Sequence, residues 1–417
     1  MNQYMDHRQI ADEMELYCLN EEVGAGLPIW LPGGEIIRRE LMAMIEKLED
    51  RAGYLRVSSP PLAKSSLYER SGHLSVFREN MFPEMKVEGE GQGLFLRPMN
   101  CPHHHLIFGR KPRSYRELPM RLAEFGQVFR FENSGALCGL IRARSLCQND
   151  AHIYLLPEQA LSEIRSVLEM NLEVLALLGL SEYRFRLSCY DPSRPEEFHG
   201  SAKDWNVAEE ILRGAMKDLG LSYFEAPGEA AFYGPKIDIQ FGLGDGREES
   251  IASVQLDFNS GAKFDLEVVN SKGVREVPWI VHRAPMGSFE RIVAILLEHY
   301  QGRLPGWLSP VQLAILPVSA ELDEAAFKLA ESLASVARVR VLRAGSGSLG
   351  FRLRECHRLR PFMHLVLGKR EIESGLLKLI GSRGEFLLGR DEISRWLENS
   401  LAVSNSNSRN VVKMERI

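Results

Sequence analysis

Cysteine is scarce and scattered: the 417-residue chain has six, at positions 18, 101, 138, 147, 189 and 356. So few thiols cannot make the dense staple of a disulfide scaffold, which leaves reduced thiols or metal ligands. No apolar run approaches the roughly 18 residues of a membrane-spanning helix. The charged beginning, MNQYMDHRQIADEME, is unlike a secretion signal. Neither common glycine-rich phosphate loop occurs, and no segment repeats. What is present is ordinary for a globular protein: 45% apolar and 26% charged residues, with length for two to three domains. A soluble, cytoplasmic protein without a membrane partner is expected.

Charge is uneven. Residues 304–417 hold 17 Lys+Arg against 12 Asp+Glu, a net of +5, and the total of −5 leaves −10 for residues 1–303. A small basic module behind an acidic body can hold a polyanion such as nucleic acid, although chance asymmetry of a solvated surface produces the same numbers. The densest basic stretch is Arg352, Arg354, Arg358, Arg360, Lys369 and Arg370. Arg354 and Arg358, four apart, could share a helix face.

The clearest break is QGRLPGWLSP (301–310), with two prolines and two glycines, followed by the β-like VQLAILPV. The expected division is therefore 1–303, 304–402 and a polar tail, 403–417. The second part reads as helix over 323–337, strand over 339–342, a Gly/Ser turn over 345–350, a helix carrying the arginines, strand over 364–367 and helix over 391–401. That alternation suggests a compact α/β domain. The first part reads as amphipathic helices over 34–52, 157–178, 202–219 and 288–300, separated by short alternating runs. In the second helix Leu161, Ile164, Leu168, Leu172 and Leu175 recur at helical spacing. Hairpins with long helices between them suggest an α+β domain around an antiparallel sheet.

One hairpin carries chemistry. FGQVFRFE and LIRAR are joined by the turn-rich NSGALCG. Alternation along strands puts Arg130 with Glu132 on one face, and Arg142 with Arg144 on the return strand's face. Such a surface wants water, salt bridges or an anionic ligand, because unpaired charge is costly to bury. The hairpin alone favours a salt-bridged surface.

Three segments change that weighting. GYLRVSSPPL (53–62), FRFE (129–132) and GSFER (287–291) resemble motifs 1, 2 and 3 of the class II aminoacyl-tRNA synthetases. The longer strings ERSGH (69–73), RPMNCPHHH (97–105), RELPMRLAEFG (116–126), SGALCGLIRAR (134–144), QNDAHI (148–153), FYGPKID (232–238), VQLDF (254–258) and HRAPMGSFER (282–291) resemble the threonyl-tRNA synthetase family. The resemblance implies a class II antiparallel sheet flanked by helices, then a smaller α/β anticodon-binding-like domain.

It also implies a chemistry: ATP-dependent activation of L-threonine to the adenylate, then transfer to tRNA. Cys101, His152 and His282 match the family's ligands for one zinc ion per chain, a long, irregular spacing that no zinc rule selects. Asp150 matches the acceptor for the threonine hydroxyl, and Gln148 the same pocket. Arg130 matches the α-phosphate arginine and Arg291 the arginine on the far phosphates. Arg142 assists, Glu132 reads the adenine amino group, and magnesium accompanies ATP. Tyr233, Lys236 and Gln255 line the pocket. His73 matches a base for transfer, and an imidazole with an ordinary pKa near 6.5 suits that task. His103 and His105 read as bystanders, His104 as a packing or supporting residue. Further implied are a homodimer through the first motif, the tRNA acceptor end on the catalytic domain and the anticodon on the basic domain.

The chain also departs from the family. It begins almost where the catalytic domain does, so read as complete it carries no editing site in cis. AGSGSLG (344–350) stands where the family has an Asn/Asp-Glu-Lys stretch, and a later arginine-bearing strand reads LLKLIGSRG (376–384). Ser145 replaces a usual glycine and Phe129 a usual histidine. A paralogue serving a narrow tRNA set or a non-tRNA acceptor such as a carrier protein is the alternative. An inactive tRNA-binding regulatory subunit is the third reading, weakened by the retained Arg130, Arg291, Cys101, His152 and His282.

Overall fold

The computed structural model describes residues 4–403 apart from 88, 90, 245 and 383. The expected polar tail therefore lies, beyond Val403, outside the described residues, as does Arg383 of the 376–384 strand. The contacts divide the chain into two compact units, residues 24–27 with 45–292, and residues 1–23 with 28–44 and 293–417. Among the described residues no helix is long and apolar enough to cross a membrane.

The first unit is built on an eight-stranded sheet. In chain order its strands are β1 (Leu55–Arg56), β2 (Met120–Phe129), β3 (Ser145–Leu155), β4 (Tyr183–Cys189), β5 (Tyr223–Pro227), β6 (Lys236–Gly242), β7 (Glu248–Asp257) and β8 (Trp279–Ala284). Their spatial order is β5-β4-β6-β7-β8-β3-β2-β1. The inner pairs are antiparallel; only the edge pairs β5/β4 and β1/β2 run parallel. This is the antiparallel α+β sheet expected from the hairpins.

Register decides which residues meet. Lys236 pairs with Gln255, Gln255 with His282, and His282 with His152, so four polar residues form one row across four strands. One step along, Leu256, Val281 and Ile153 form a row on the opposite face, fully buried. The helix α1 (Ala160–Leu178) covers that face, packing on β7 and β8. The expected helix over 157–178 starts as a single 3-10 turn, Pro157–Gln159, before α1 begins. Its buried stripe is Ile164, Val167, Leu168, Val174 and Leu175; Leu161, expected in the stripe, is 39% exposed. The sheet therefore has one apolar face under helices and one polar face carrying the site.

The motif 2 hairpin is shorter than its sequence suggests. Strand pairing ends at Phe129 with Ser145, and Arg142 and Arg144 sit in the connecting loop, not on a return strand. Arg144 turns away, donating to the Glu132 carbonyl and resting on the Phe131 ring.

A buried ion cluster flanks the site on the polar face, where Glu124 is the cross-strand partner of Asp150. Arg97 donates to Glu124 Oε1 at 3.0 Å and to Ser59 Oγ at 2.6 Å, while Ser59 donates to Glu124 at 2.8 Å. Burial alone would push the Glu124 carboxyl up. The hydrogen bonds from His104 and Ser59 and the charge on Arg97 outweigh it and hold the group at about 2. Below the ordinary carboxylate range the unfolded chain binds the extra proton, so this stabilisation is complete above about pH 4.5 and fades as pH falls toward 2. Glu124→Gln is expected to cost about 3–5 kcal/mol at neutral pH, because it leaves the Arg97 charge uncompensated. Urea unfolding of both proteins between pH 7 and pH 2.5 should show the difference shrinking as the solution is acidified; a constant difference would contradict this assignment.

In the second unit, strands β9 (Leu313–Pro317), β10 (Val339–Val341), β11 (Met363–Leu367), β12 (Leu376–Gly381) and β13 (Gly384–Gly389) order as β10-β9-β11-β12-β13. The first three are parallel and the last two form an antiparallel hairpin. Leu313, Ile315, Met363, Leu365 and Leu379 pack against Leu329, Leu333 and Leu397 of the helices α2 (Asp323–Leu333) and α3 (Ile393–Leu401). This is the expected α/β domain. The AGSGSLG stretch forms a 3-10 turn, Ala344–Ser346, and then Ser348 caps a helix over Leu349–Leu359. Arg354 and Arg358 of that helix are exposed, but Arg352 is not part of a basic surface. It is buried, donating to the carbonyls of Pro317, Leu342 and Gly347.

Candidate active site and metal centre

Two adjoining spaces open on the polar face of the eight-stranded sheet. The larger, about 310 Å³, is lined by Arg130, Glu132, Arg142, Lys236 and Arg291 among others. The smaller, about 110 Å³, is lined by Cys101, Asp150, His152, Tyr233 and His282 among others. Arg130, Gln148, Ser253, Gln255 and Ala284 border both. Of the thirteen residues singled out from sequence, twelve thus border this pair of spaces, and His73 does not.

The smaller space contains a donor group. Ligand atoms of Cys101, His152 and His282 all lie within 4.8 Å of one another, and all three residues are buried. The two histidines are cross-strand partners, their rings 4.5 Å apart. Cys101 begins the short helix Cys101–Phe108, so its thiol approaches from above the sheet. Each imidazole has one nitrogen engaged outward: His282 Nε2 donates to Asp257 Oδ2 at 3.0 Å, and His152 Nδ1 meets His104 Nδ1 at 2.9 Å. His104 in turn reaches Glu124 at 3.0 Å. Outward carboxylate contacts of this kind fix which nitrogen of a metal-binding histidine faces the ion. Burial and the charges of Asp150 and Asp257 push the Cys101 thiol well up, and burial pulls His152 well down. A thiol so placed stays protonated until a cation takes the proton's place on the sulfur. One sulfur and two imidazole nitrogens beside free space fit a borderline-soft divalent ion with an open coordination position.

Asp150 shares that wall. Burial raises its carboxyl, and Asn100 Nδ2 donates to it at 2.9 Å. The Tyr233 hydroxyl donates to Gln255 Oε1, and the Tyr233 ring stacks on His282 at 4.9 Å. Gly234 holds this turn against β7: a Cβ there would lie 1.9 Å from the Leu256 carbonyl oxygen. Gly234→Ala must displace backbone and is expected to cost about 1–3 kcal/mol. A melting temperature matching the parent protein would show that the turn yields freely.

The larger space is positively charged. Burial, then the charge of Arg291, lowers the Arg130 guanidinium below its ordinary value. Arg291 donates to the carbonyls of Ile141 and Ser250, at 3.2 and 3.3 Å. Arg142 pairs with Glu132 at 3.3 Å, and Lys236 with Asp238 at 3.1 Å. Two guanidiniums that repel each other across an open space suit an anion lodged between them.

His73 sits behind this surface, 2% exposed. Its Nδ1 meets Ser71 Oγ at 2.8 Å, and its Nε2 meets Met99 Sδ at 3.3 Å and Cys101 Sγ at 3.9 Å. Burial first, then His282, Lys263 and Arg130, holds it at about 4. The ordinary value near 6.5 assumed from sequence does not apply, since burial disfavours the charged ring. His105 contacts the Tyr154 hydroxyl at 2.9 Å, and burial, then the charge of Arg97, lowers the His103 imidazole to about 4. The supporting residues Asn100, Asp257 and the Arg97–Glu124 pair were not singled out from sequence. Asn100, Arg97 and Asp257 lie inside the strings RPMNCPHHH and VQLDF, a signal that was present but gives no role.

Residues 85–300 match the tRNA synthetase class II core domain (G, H, P, S and T), and residues 312–396 match an anticodon binding domain. The chain is 41% identical over 406 residues to a threonine–tRNA ligase of Chlorobium phaeovibrioides, covering 95% of this chain and 60% of that protein. It is 42% identical over 379 residues to one of Streptococcus gordonii, covering 90% and 58%. The chain thus spans about three-fifths of the length of these curated relatives. It superposes with a TM-score of 0.87 and 33% identity on the RNA binding domain of threonyl-tRNA synthetase from Cryptosporidium parvum Iowa II, covering 95% of this chain and 98% of that one.

Proposed function

The chain belongs to the threonyl-tRNA synthetase family of class II aminoacyl-tRNA synthetases, and from that premise we propose that it is a threonine–tRNA ligase. It activates L-threonine with ATP and transfers it to tRNA. The observation that carries this reading is the buried Cys101–His152–His282 group sharing a wall with an arginine-lined space. Residues 1–303 are assigned to the catalytic domain and 304–402 to an anticodon-binding-like domain, with a homodimer formed through the 53–62 segment.

In the first step a carboxylate oxygen of threonine attacks the α-phosphorus of ATP, pyrophosphate leaves, and a mixed anhydride remains. Negative charge shifts along the phosphates, so positive groups fixed in advance lower the barrier. Arg130 is assigned to the α-phosphate, Arg291 to the departing phosphates and Arg142 and Lys236 to assisting them; Glu132 takes the adenine amino group. Zinc, held by Cys101, His152 and His282, would supply a Lewis-acid grip on the amino and hydroxyl groups of the amino acid, and magnesium would offset phosphate charge. Asp150 accepts a hydrogen bond from the substrate hydroxyl, while Gln148, Tyr233 and Gln255 close the pocket. In the second step the terminal ribose hydroxyl attacks the carbonyl and AMP leaves. His73 is assigned the hydroxyl proton, as an imidazole uncharged at neutral pH.

Selectivity follows from that pocket. Valine leaves the hydrogen bond of the substrate hydroxyl to Asp150 unmade and is rejected by roughly 10⁴-fold, whereas serine lacks only a methyl, worth about 1–3 kcal/mol. The test is charging of purified tRNAs with threonine and serine in parallel. Threonine is expected to win by about 10–200-fold in kcat/KM over serine. A second reading, with another acceptor or a narrow tRNA set, is favoured by one feature: the 344–350 turn carries no charged side chain. Threonine-dependent ATP–pyrophosphate exchange without tRNA charging would select another acceptor, and charging confined to a few of the purified tRNAs would select the narrow set. Absence of exchange would defeat both.

A further inference from the structure

Beside the two spaces, two basic side chains meet without an acidic partner. Lys263 ends the short helix Ser260–Lys263, and its ammonium donates to His199 Nδ1 across 2.7 Å. An imidazole that accepts at Nδ1 carries its proton on Nε2, so the pair presents two further ammonium N–H groups and one imidazole N–H. Among the described residues no carboxylate forms an ion pair with either side chain. Asp257 acts on Lys263 only from a distance, its oxygens engaged by His282, Asn259 and Ser260.

The surroundings keep the pair accessible and next to His73. Phe232 forms the shared wall: Lys263 Nζ lies 5.8 Å from its ring centroid, and the His199 ring meets it edge-on at 5.1 Å. His73 meets the same ring at 6.1 Å. Gly72, which precedes His73, lies over the pair. A Cβ there would sit 3.5 Å from Lys263 Nζ and 3.6 Å from His199 Cε1, and the position has φ +83°, where a side chain is disfavoured. Lys263, His199 and Gly72 are all partly exposed.

We propose that Lys263 and His199 bind one phosphodiester of the RNA acceptor's 3′ end, anchoring the strand whose terminal hydroxyl reacts beside His73. This deepens the reading above and rests on it. The donors suit a phosphate oxygen, and the absence of a carboxylate leaves their charge for a ligand. Neither residue borders the nucleotide or amino-acid space, so adenylate formation does not require them.

The test uses the full chain and an in vitro transcript of a threonine tRNA. Threonine-dependent ATP–pyrophosphate exchange and threonine transfer to the transcript are measured from 50 to 200 mM salt in the parent protein, Lys263→Met, Lys263→Arg and His199→Gln. Lys263→Met is expected to keep exchange within about twofold while transfer kcat/KM falls about tenfold or more. Its log–log salt slope should be shallower by about 0.7, the value for one phosphate contact on a single strand. Lys263→Arg should restore both, and His199→Gln should weaken transfer in the same direction. Parent-like transfer and slope in Lys263→Met, or exchange falling in parallel with transfer, overturns the site and leaves the ligase reading intact. A parent protein that exchanges but does not charge the transcript overturns both, including the case in which a phosphopantetheinyl carrier protein is loaded instead.

Discussion

Arg130→Ala is expected to lower threonine-dependent ATP–pyrophosphate exchange by about 10²–10³-fold, the usual consequence of removing one fixed donor from a developing negative charge. Arg291→Ala should act similarly. The effect on stability should have the opposite sign. In the free protein Arg130 lies within the field of Arg291, and burial together with that neighbour lowers its guanidinium below the ordinary range. Among the described residues its guanidinium makes one hydrogen bond, a long one of 3.5 Å to the Pro98 carbonyl. Deleting it relieves repulsion and removes little bonding, so the melting temperature should stay level or rise. Saturating ATP should stabilise the parent protein more than the variant, since a ligand stabilises in proportion to its preference for the folded state. Thermal melts with and without ATP, run beside the exchange assay, check both halves. A variant that loses activity together with several degrees of stability would identify Arg130 as a structural residue.

The second large effect concerns the metal. Cys101→Ser should reduce zinc affinity by more than about 100-fold, because even loss of a supporting residue costs 10–100-fold. Asp257→Asn should fall in that smaller range. It leaves the ligand set intact but loosens the 3.0 Å contact that orients His282. Threonine activation is expected to follow zinc content across the three proteins, measured by chelator competition and elemental analysis. Valine activation should not recover in either variant, since the smaller space remains lined by Asp150. Full threonine activation in a zinc-free Cys101→Ser protein would end the proposed selector role.

The polar residues of β3 show what was legible. Gln148, Asp150 and His152 alternate, so any strand through QNDAHI puts them on one face, and the string itself is specific. Cys101 and His282 stand 51 and 130 residues away from His152, and nothing in local spacing joins them; resemblance did. The cross-strand register that sets His282 opposite His152 is a property of the assembled sheet. The same limit explains the misplacement of Arg144. Alternation over LIRAR suggested a strand, but strand pairing in the sheet begins at Ser145, and outside it the Arg144 side chain donates to the Glu132 carbonyl instead. Leu161 fits the helical spacing of α1 yet remains 39% exposed, because neighbours, not period, decide which part of an apolar stripe is covered.

By itself, the sequence determined the long helices, the strand–helix alternation of the C-terminal α/β domain and the family, because periodicity, turn residues and motif strings are local properties. Only the tertiary structure decided that twelve of the chosen residues border two joined spaces. It alone revealed that Asn100 and Asp257 hold Asp150 and His282, that Arg352 is buried, and that His73 is held at about 4. Burial and the field of distant charges depend on which chain segments are brought together, and no stretch of the sequence read alone contains that information.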